Sequence, residues 1–128
     1  MQDPIFLTLE EVLLIHQDQI SRYGGSAGIR DEDVLLSAIE APRWAFQYGE
    51  ADLVAIAATY LYHLMMNHAF IDGNKRVGTT AALVFLDLNG HWLEMPDDEL
   101  EAMALQVAQG QLDKDEIGYR LRPYLQPG

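Results

Sequence analysis

One segment of the chain, from His68 to Arg76, concentrates side chains that can do chemistry within an otherwise apolar region. It combines an imidazole, a carboxylate, a glycine-containing turn and two adjacent cations. An imidazole accepts a proton near neutral pH. A carboxylate and cations are the groups that hold a polyphosphate with its magnesium ion. The segment therefore predicts a site that binds a magnesium-bound polyphosphate beside a proton acceptor.

The two cations of this segment, Lys75 and Arg76, are unusual for their position. They belong to a set of only 8 Lys+Arg residues, against 20 Asp+Glu. The pattern places them at the start of a helix, where the helix dipole and free backbone N–H groups favour an anion. Two cations there cost stability unless an anion binds, so their placement indicates function.

The elements that must position this segment are two apolar helices on either side of it. The helix predicted over residues 52–67 is apolar almost all round, which is typical of a buried central helix. A second apolar helix is predicted over 74–88. The sequence therefore predicts that the segment is a loop between two central helices.

The remainder of the chain also has helical periodicity. Thr8 and Glu11 form a capping box that begins a helix. Outside the central pair, the pattern predicts helices over residues 8–22, 31–41, 96–108 and 113–125. No alternation of period two is present, so the fold class is expected to be all-α. We expect a single domain over 1–128, with a core of about 8–125 and about six helices.

Two further segments outside the predicted helices have their own expected structure. Residues 42–50 begin with a proline and lack a clear period, which favours an ordered loop or short hairpin. Their aromatic residues, Trp44, Phe46 and Tyr48, could form a flap that aligns a target segment or could simply pack the loop. Residues 91–95 are expected to be a short extended link.

Composition excludes several classes of function. The net charge of −12 argues against nucleic acid and against an anionic membrane surface as main partners. The absence of cysteine excludes a thiolate nucleophile and a Cys-ligated zinc site. No apolar run approaches the roughly 18 residues of a membrane span, and the N-terminal residues lack the basic segment followed by an apolar one that is typical of a secretory signal. The expected compartment is the cytoplasm.

The segment His68–Arg76, HAFIDGNKR, resembles the signature of the Fic/Doc family. That signature reads His-x-Phe-x-(Asp/Glu/Asn)-(Gly/Ala)-Asn-(Gly/Lys)-Arg, and every fixed position is filled. The preceding region, from Gly24 through Arg30-Asp31 to Pro42-Arg43, is similar to the Doc (death-on-curing) branch. The resemblance covers about residues 10–90 and implies a Fic/Doc-like helical bundle with nucleotide-dependent transferase activity.

One position separates the branches of this family. Its adenylyltransferases have a glycine after the Asn and a second arginine three positions beyond the first, whereas this chain has Lys75 and Thr79. In Doc-like members this lysine accompanies a nucleotide that binds in the reversed orientation, so that its terminal phosphoryl group is the one transferred. The resemblance thus implies phosphorylation of a target hydroxyl by magnesium–ATP. Adenylylation remains the alternative.

The resemblance also assigns roles to individual residues. His68 would be the general base, and Asp72 would position magnesium. Phe70 would anchor the loop in the core, and Gly73 would allow close approach of the backbone. The phosphate-binding residues would be Gly73, Asn74, Lys75 and Arg76.

Partners follow from the same resemblance. The reported target in the Doc branch is elongation factor Tu, whose modification arrests translation. The inhibitory Ser/Thr-x-x-x-Glu-(Gly/Asn) motif is absent, since Ser37 is followed four positions later by Ala41. Restraint by an antitoxin protein in trans is therefore expected. A non-catalytic binding module is the third hypothesis, favoured by the acidic stretch Glu94–Glu101, although this stretch is more simply a solvated helix start.

The other histidines are expected to be structural. His63 and His68 lack the spacing of a zinc-binding pair on a helix. His16 lies on an amphipathic helix, where we expect it to be partly exposed, with a peripheral role at the site left open. His91 follows a glycine and is expected to serve packing.

Overall fold

The computed structural model describes residues 3–127, which form six helices and one very small sheet. The elements in chain order are α1 (Leu9–Tyr23), α2 (Glu32–Gly49), α3 (Leu53–Met66), α4 (Asn74–Leu88), β1 (His91–Leu93), α5 (Asp97–Ala108), α6 (Lys114–Leu121), a 3-10 turn (Arg122–Tyr124) and β2 (Leu125–Pro127). This architecture confirms the all-α class and the predicted number of helices. The segment rich in chemistry is the connection between α3 and α4.

Helix α3 lies at the centre of the fold, as its sequence predicts. Its N-terminus is capped by Asp52, whose side chain accepts a hydrogen bond from the Ala55 N–H at 2.9 Å. The helix packs against α2, α4, α5 and α6. Since neighbours surround it, apolar residues occupy most of its circumference, and Tyr60 and Leu64 are fully buried.

Helices α3 and α4 are in close backbone contact at Gly78. A Cβ atom at this position would lie 2.7 Å from the Leu61 carbonyl oxygen and 3.1 Å from the Met65 nitrogen. Only hydrogen fits in that space, so glycine sets the distance between the two helices. This close packing fixes the relative position of the two ends of the intervening loop.

The prediction of a loop or short hairpin over 42–50 is wrong, because α2 continues through Pro42 to Gly49. Proline removes one helical hydrogen bond, but Pro42 is buried and the turn that follows is held by packing. The Phe46 ring lies 6.0 Å from that of Phe6, and the Arg43 guanidinium lies 5.0 Å above the Phe6 ring. Tertiary contacts therefore outweigh the local preference to end the helix.

The predicted helix over 113–125 is too long, since α6 ends at Leu121 and the chain turns at Arg122–Tyr124. Pro123 has no N–H to continue the helical bonds. The chain then forms β2, which pairs antiparallel with β1 and sets Trp92 opposite Gln126. The expected extended link at 91–95 is thus partly a strand, too short to show alternation in the sequence.

No helix within residues 3–127 is both long and apolar enough to cross a membrane.

Candidate active site

The connection between α3 and α4 changes backbone direction at two residues with left-handed conformations. Helix α3 ends at Met66, with Asn67 as its C-cap, and the next residue, His68, has φ +52°. Gly73 has φ +84° and precedes the first turn of α4. A Cβ on Gly73 would lie 3.4 Å from Ile20 Cδ1 and would also carry the strain of positive φ. We call residues 67–73 the motif loop.

Phe70 lies at the centre of the motif loop and is only 1% exposed. Its N–H donates to Asn74 Oδ1 at 3.1 Å, and its carbonyl accepts from Asn74 Nδ2 at 3.0 Å. Both polar groups of the Asn74 side chain are therefore engaged by the loop backbone. An interaction of Asn74 with phosphate would have to use its backbone N–H.

A second segment, residues 24–31, lies along the motif loop. Ile29 forms an antiparallel bridge with Phe70, and the Ile71 N–H donates to the Gly28 carbonyl at 3.2 Å. The Arg30 N–H donates to the Ala69 carbonyl at 2.7 Å. These backbone bonds connect the α1–α2 loop to the motif loop, so the site is built from two parts of the chain that are distant in sequence.

The side chain of Arg30 extends this contact to the end of α3. Its Nε donates to the His68 carbonyl at 2.6 Å, and its Nη2 lies 3.3 Å from the Asn67 carbonyl. These carbonyls lie at the negative end of the α3 dipole, where a cation is favourable. Arg30 was not among the predicted site residues, although the region around it contributed to the family resemblance.

His16 supports the motif loop from α1. It is 6% exposed, so the expectation of partial exposure is wrong. Its ring stacks on that of Phe70 with centroids 3.9 Å apart, and its Nε2 lies 2.9 Å from the Asp72 carbonyl oxygen. Because a carbonyl only accepts, Nε2 carries the proton in this contact. The amphipathic pattern of α1 predicts that His16 lies on a helix. It cannot predict the contact with Asp72, which is 56 residues away in the chain.

The Asp72 side chain lies on the exposed rim of the motif loop. Its Oδ2 accepts a hydrogen bond from the Ser26 N–H at 2.8 Å. Its Oδ1 has no protein partner among residues 3–127, where no group of three or more potential metal ligands occurs. Magnesium commonly binds to one or two protein carboxylates together with substrate phosphates and water. One free carboxylate oxygen fits that pattern and does not fit a metal cage made of protein alone.

Lys75 and Arg76 lie in the exposed first turn of α4. No side chain among the described residues caps this end of the helix. The Arg76 guanidinium stacks over the Tyr23 ring at 4.3 Å. Both cations line a cleft of about 410 Å³ whose lining residues are Gln19, Tyr23, Lys75, Arg76, Thr79, Thr80, Asp97, Leu100, Glu101 and Ala104. Lys75 and Arg76 bring two cations to the cleft and belong to the uncapped first turn of α4, which favours an anion, whereas Asp97 and Glu101 bring two carboxylates to the same lining.

His68 is exposed, and its ring makes no hydrogen bond with residues 3–127. Its imidazole is therefore free to receive a proton from an incoming group. The structure thus brings His68, Asp72, Lys75 and Arg76 to one short loop and helix start. This arrangement can hold an anion at α4 and accept a proton at His68.

Other sequence candidates lie elsewhere. Trp44 and Tyr48 stack on each other at 5.1 Å on α2, and neither lines the cleft around Lys75. His63 lies 3.3 Å from the Lys114 ammonium, and burial lowers its pKa, with a further contribution from Lys114. His91 Nδ1 lies 2.8 Å from the Asn89 carbonyl.

The amino-acid sequence is similar to that of known proteins. The profile of the family described as Fic/DOC matches residues 6–86, which include α1 to α3, the motif loop and all but the last two residues of α4. The chain is 33% identical to the "Protein kinase doc" of Escherichia phage P1 over 114 residues, which is 88% of this chain and 90% of that protein. It is 36% identical to the "Toxin Doc" of Mycolicibacterium smegmatis over 104 residues, 77% and 79% of the two chains.

Proposed function

The chain belongs to the Fic/DOC family, in its Doc branch, and from this we propose that it is a toxin that transfers the γ-phosphoryl group of ATP to a hydroxyl group of a target protein. A relative named as a protein kinase and a relative named as a toxin support the two parts of this proposal. This reaction requires a nucleotide site, a proton acceptor and a feature that selects the γ-phosphoryl group for transfer.

The observation that carries the proposal is the placement of His68 relative to the start of α4. The base and the anion-binding turn are joined by a loop whose ends are fixed by the α3–α4 contact at Gly78. The loop is also held by Asn74. Such fixed placement of two reacting groups is what phosphoryl transfer needs, because the protein contributes mainly positioning and charge.

In the proposed reaction, the target hydroxyl oxygen forms a bond to the γ-phosphorus, and the bond from that phosphorus to the β,γ-bridging oxygen breaks. The hydroxyl proton passes to the His68 imidazole, and ADP leaves. Lys75, Arg76 and the N–H groups at the start of α4 would bind the phosphate oxygens. Magnesium, held through Asp72 and the phosphates, would neutralise phosphate charge.

Lys75 supports transfer of the γ-phosphoryl group rather than of the adenylyl group. It places an additional cation and a long side chain at the turn where the adenylyltransferases of the family have glycine. That side chain would narrow the space available to a phosphate at the helix start and would add positive charge there. A nucleotide whose terminal phosphate lies at this turn would benefit most, since that phosphate carries the most negative charge.

The first target to test is elongation factor Tu, as the Doc resemblance suggests. Because the chain lacks the inhibitory glutamate motif, we propose that an antitoxin protein restrains it in trans. A translation factor as target would require action in the cytoplasm.

The proposal is tested with ATP labelled at either the α- or the γ-phosphate. Purified protein with magnesium and elongation factor Tu should transfer only the γ-label, and His68→Ala should transfer neither. Transfer from the α-label alone would replace the proposal with adenylylation.

A growth assay separates catalysis from binding. Expression of the native chain should arrest growth, and His68→Ala should relieve the arrest. Equal toxicity of the two chains, with no label transferred, would favour the non-catalytic binding module.

A further inference from the structure

Arg30 binds three successive carbonyl groups where α3 ends and the motif loop begins. Its backbone N–H donates to the Ala69 carbonyl at 2.7 Å. Its Nε donates to the His68 carbonyl at 2.6 Å, and its Nη2 lies 3.3 Å from the Asn67 carbonyl. One residue of the α1–α2 loop therefore holds the backbone on both sides of His68.

His68 depends on such support because its conformation is unusual. Its φ of +52° lies in the left-handed region, which is unfavourable for a residue with a Cβ. Strain of this kind persists only where surrounding contacts determine the backbone. The exposed imidazole has no hydrogen-bond partner within residues 3–127, so the protein controls its placement mainly through the backbone, which sets the position and direction of the Cα–Cβ bond.

We propose that Arg30 is a positioning residue for His68. It holds the carbonyls of Asn67 and His68 and so maintains the left-handed turn that directs the imidazole. This inference rests on the proposed function, because it treats His68 as the general base. Arg30 itself would touch neither the nucleotide nor the target hydroxyl.

The geometry requires the guanidinium in particular. Two of its nitrogens reach two adjacent carbonyls at once, and its planar fork is rigid. Lysine has a single ammonium on a flexible stem and would keep the favourable charge at the α3 C-terminus. It would hold one carbonyl at a time, so Arg30→Lys separates the effect of charge from the effect of positioning.

The kinetic test uses the full chain and compares Arg30→Ala and Arg30→Lys with Arg120→Ala. Arg120 is a matched control because it is exposed on α6 and its Nη2 donates to Gln106 Oε1 at 3.1 Å. We expect Arg30→Ala to lower kcat by about 10²-fold, since misplacing a catalytic group by about 1 Å has an effect of that size. The KM for ATP should change by less than about twofold, because the phosphate site at α4 is intact.

We expect Arg30→Lys to recover only a small part of the lost kcat, and Arg120→Ala to match the native chain. An unchanged kcat in Arg30→Ala would overturn the proposal. A raised KM for ATP with unchanged kcat would also overturn it and would make Arg30 a nucleotide-binding residue. If Arg30→Ala does not fold, Arg30→Lys decides between these outcomes.

A readout without turnover keeps this inference separate from the proposed function. The ring signals of His68 in proton NMR, assigned by their loss in His68→Ala, report its surroundings. We expect Arg30→Ala to shift or broaden them, and Arg120→Ala to leave them in place. Unchanged His68 signals in folded Arg30→Ala would overturn the positioning role. If the native chain transfers no phosphoryl group but Arg30→Ala still shifts the His68 signals, the proposed function fails and the positioning role of Arg30 is supported.

Discussion

The Asn74 side chain hydrogen-bonds both backbone groups of Phe70, four residues before it, at 3.1 Å and 3.0 Å. This pair closes the turn that contains Asp72 and Gly73 into a ring. The first residue of α4 and the buried anchor of the motif loop therefore form one unit. The side chain that the family resemblance assigns to phosphate binding is engaged in holding the loop.

Replacement of Asn74 should therefore affect the fold as well as activity. Asn74→Ala removes both partners of Phe70, and an unpaired buried polar group costs about 1–3 kcal/mol. We expect a lower melting temperature and loss of phosphoryl transfer. Asn74→Asp keeps an acceptor for the Phe70 N–H but loses the donor to the Phe70 carbonyl, so this variant should also have a lower melting temperature than the native chain. Unchanged thermal melts of both variants would show that the hydrogen bonds contribute little.

Arg76 should affect nucleotide binding much more than stability. Its removal eliminates the unfavourable interaction of a cation with the helix dipole but also loses the stacking on Tyr23. The two effects on the free energy of unfolding should therefore cancel to within about 1 kcal/mol. We expect Arg76→Ala to lose transfer almost completely and Arg76→Lys to lose most of it, because Lys lacks the bidentate fork. Magnesium–ATP should raise the melting temperature of the native chain and much less that of Arg76→Ala.

Arg22→Ala is the control for Arg76, since Arg22 is exposed on α1 and pairs with Asp18 at 2.9 Å. It should keep the stabilisation by nucleotide. Unfolding of Arg76→Ala in the absence of nucleotide would mean that Arg76 is structural and that Lys75 and the helix start bind phosphate.

The contact between α3 and α4 predicts a strong difference between two glycines. Gly78→Ala would place a methyl group 2.7 Å from the Leu61 carbonyl oxygen, and overpacking of this kind costs about 1–3 kcal/mol or more. Gly118→Ala in α6 would place its methyl 3.8 Å from Ala58 Cβ, an ordinary contact, and should gain up to about 1 kcal/mol in helix propensity. Urea unfolding measures both. Equal stability of the two variants would show that the helices can separate at Gly78 without cost.

His63 should make stability depend on pH. Burial, and secondarily Lys114, lowers its pKa in the folded state below the ordinary 6.5. The unfolded chain therefore binds this proton more readily, and the free energy of unfolding falls as pH drops through about 6.5 to the folded pKa. It levels off below the folded pKa. Urea melts between pH 8 and 5 should show this slope, and His63→Gln should reduce it.

Lys114→Gln should reduce the same slope only partly, because burial is the larger cause of the lowered pKa. Identical slopes in the native chain and His63→Gln would assign the dependence to other groups.

Local patterns in the sequence predict much of this fold. The capping box at Thr8 and Glu11 is present at the start of α1, and the predicted helix over 74–88 has the observed bounds of α4. Both depend on residues within a few positions of each other. The four candidate groups His68, Asp72, Lys75 and Arg76 lie together for the same reason, since they are close in the chain.

The features that sequence analysis missed depend on contacts between distant residues. Pro42 predicts a helix end, and packing of Phe46 on Phe6 outweighs it. The amphipathic pattern around His16 gives no sign that the ring stacks on Phe70. Arg30 reaches a carbonyl 38 positions away, and no local period encodes that contact.

These distant contacts have a consequence for how the protein reaches its active form. The hydrogen bonds from Arg30 and Ser26 to the motif loop span 38 and 46 positions. Contacts across such long loops require more chain entropy to be lost before they form. Helices α3 and α4 can therefore pair before the α1–α2 loop docks. In refolding, helical circular dichroism should recover first, and the proposed phosphoryl transfer should recover later.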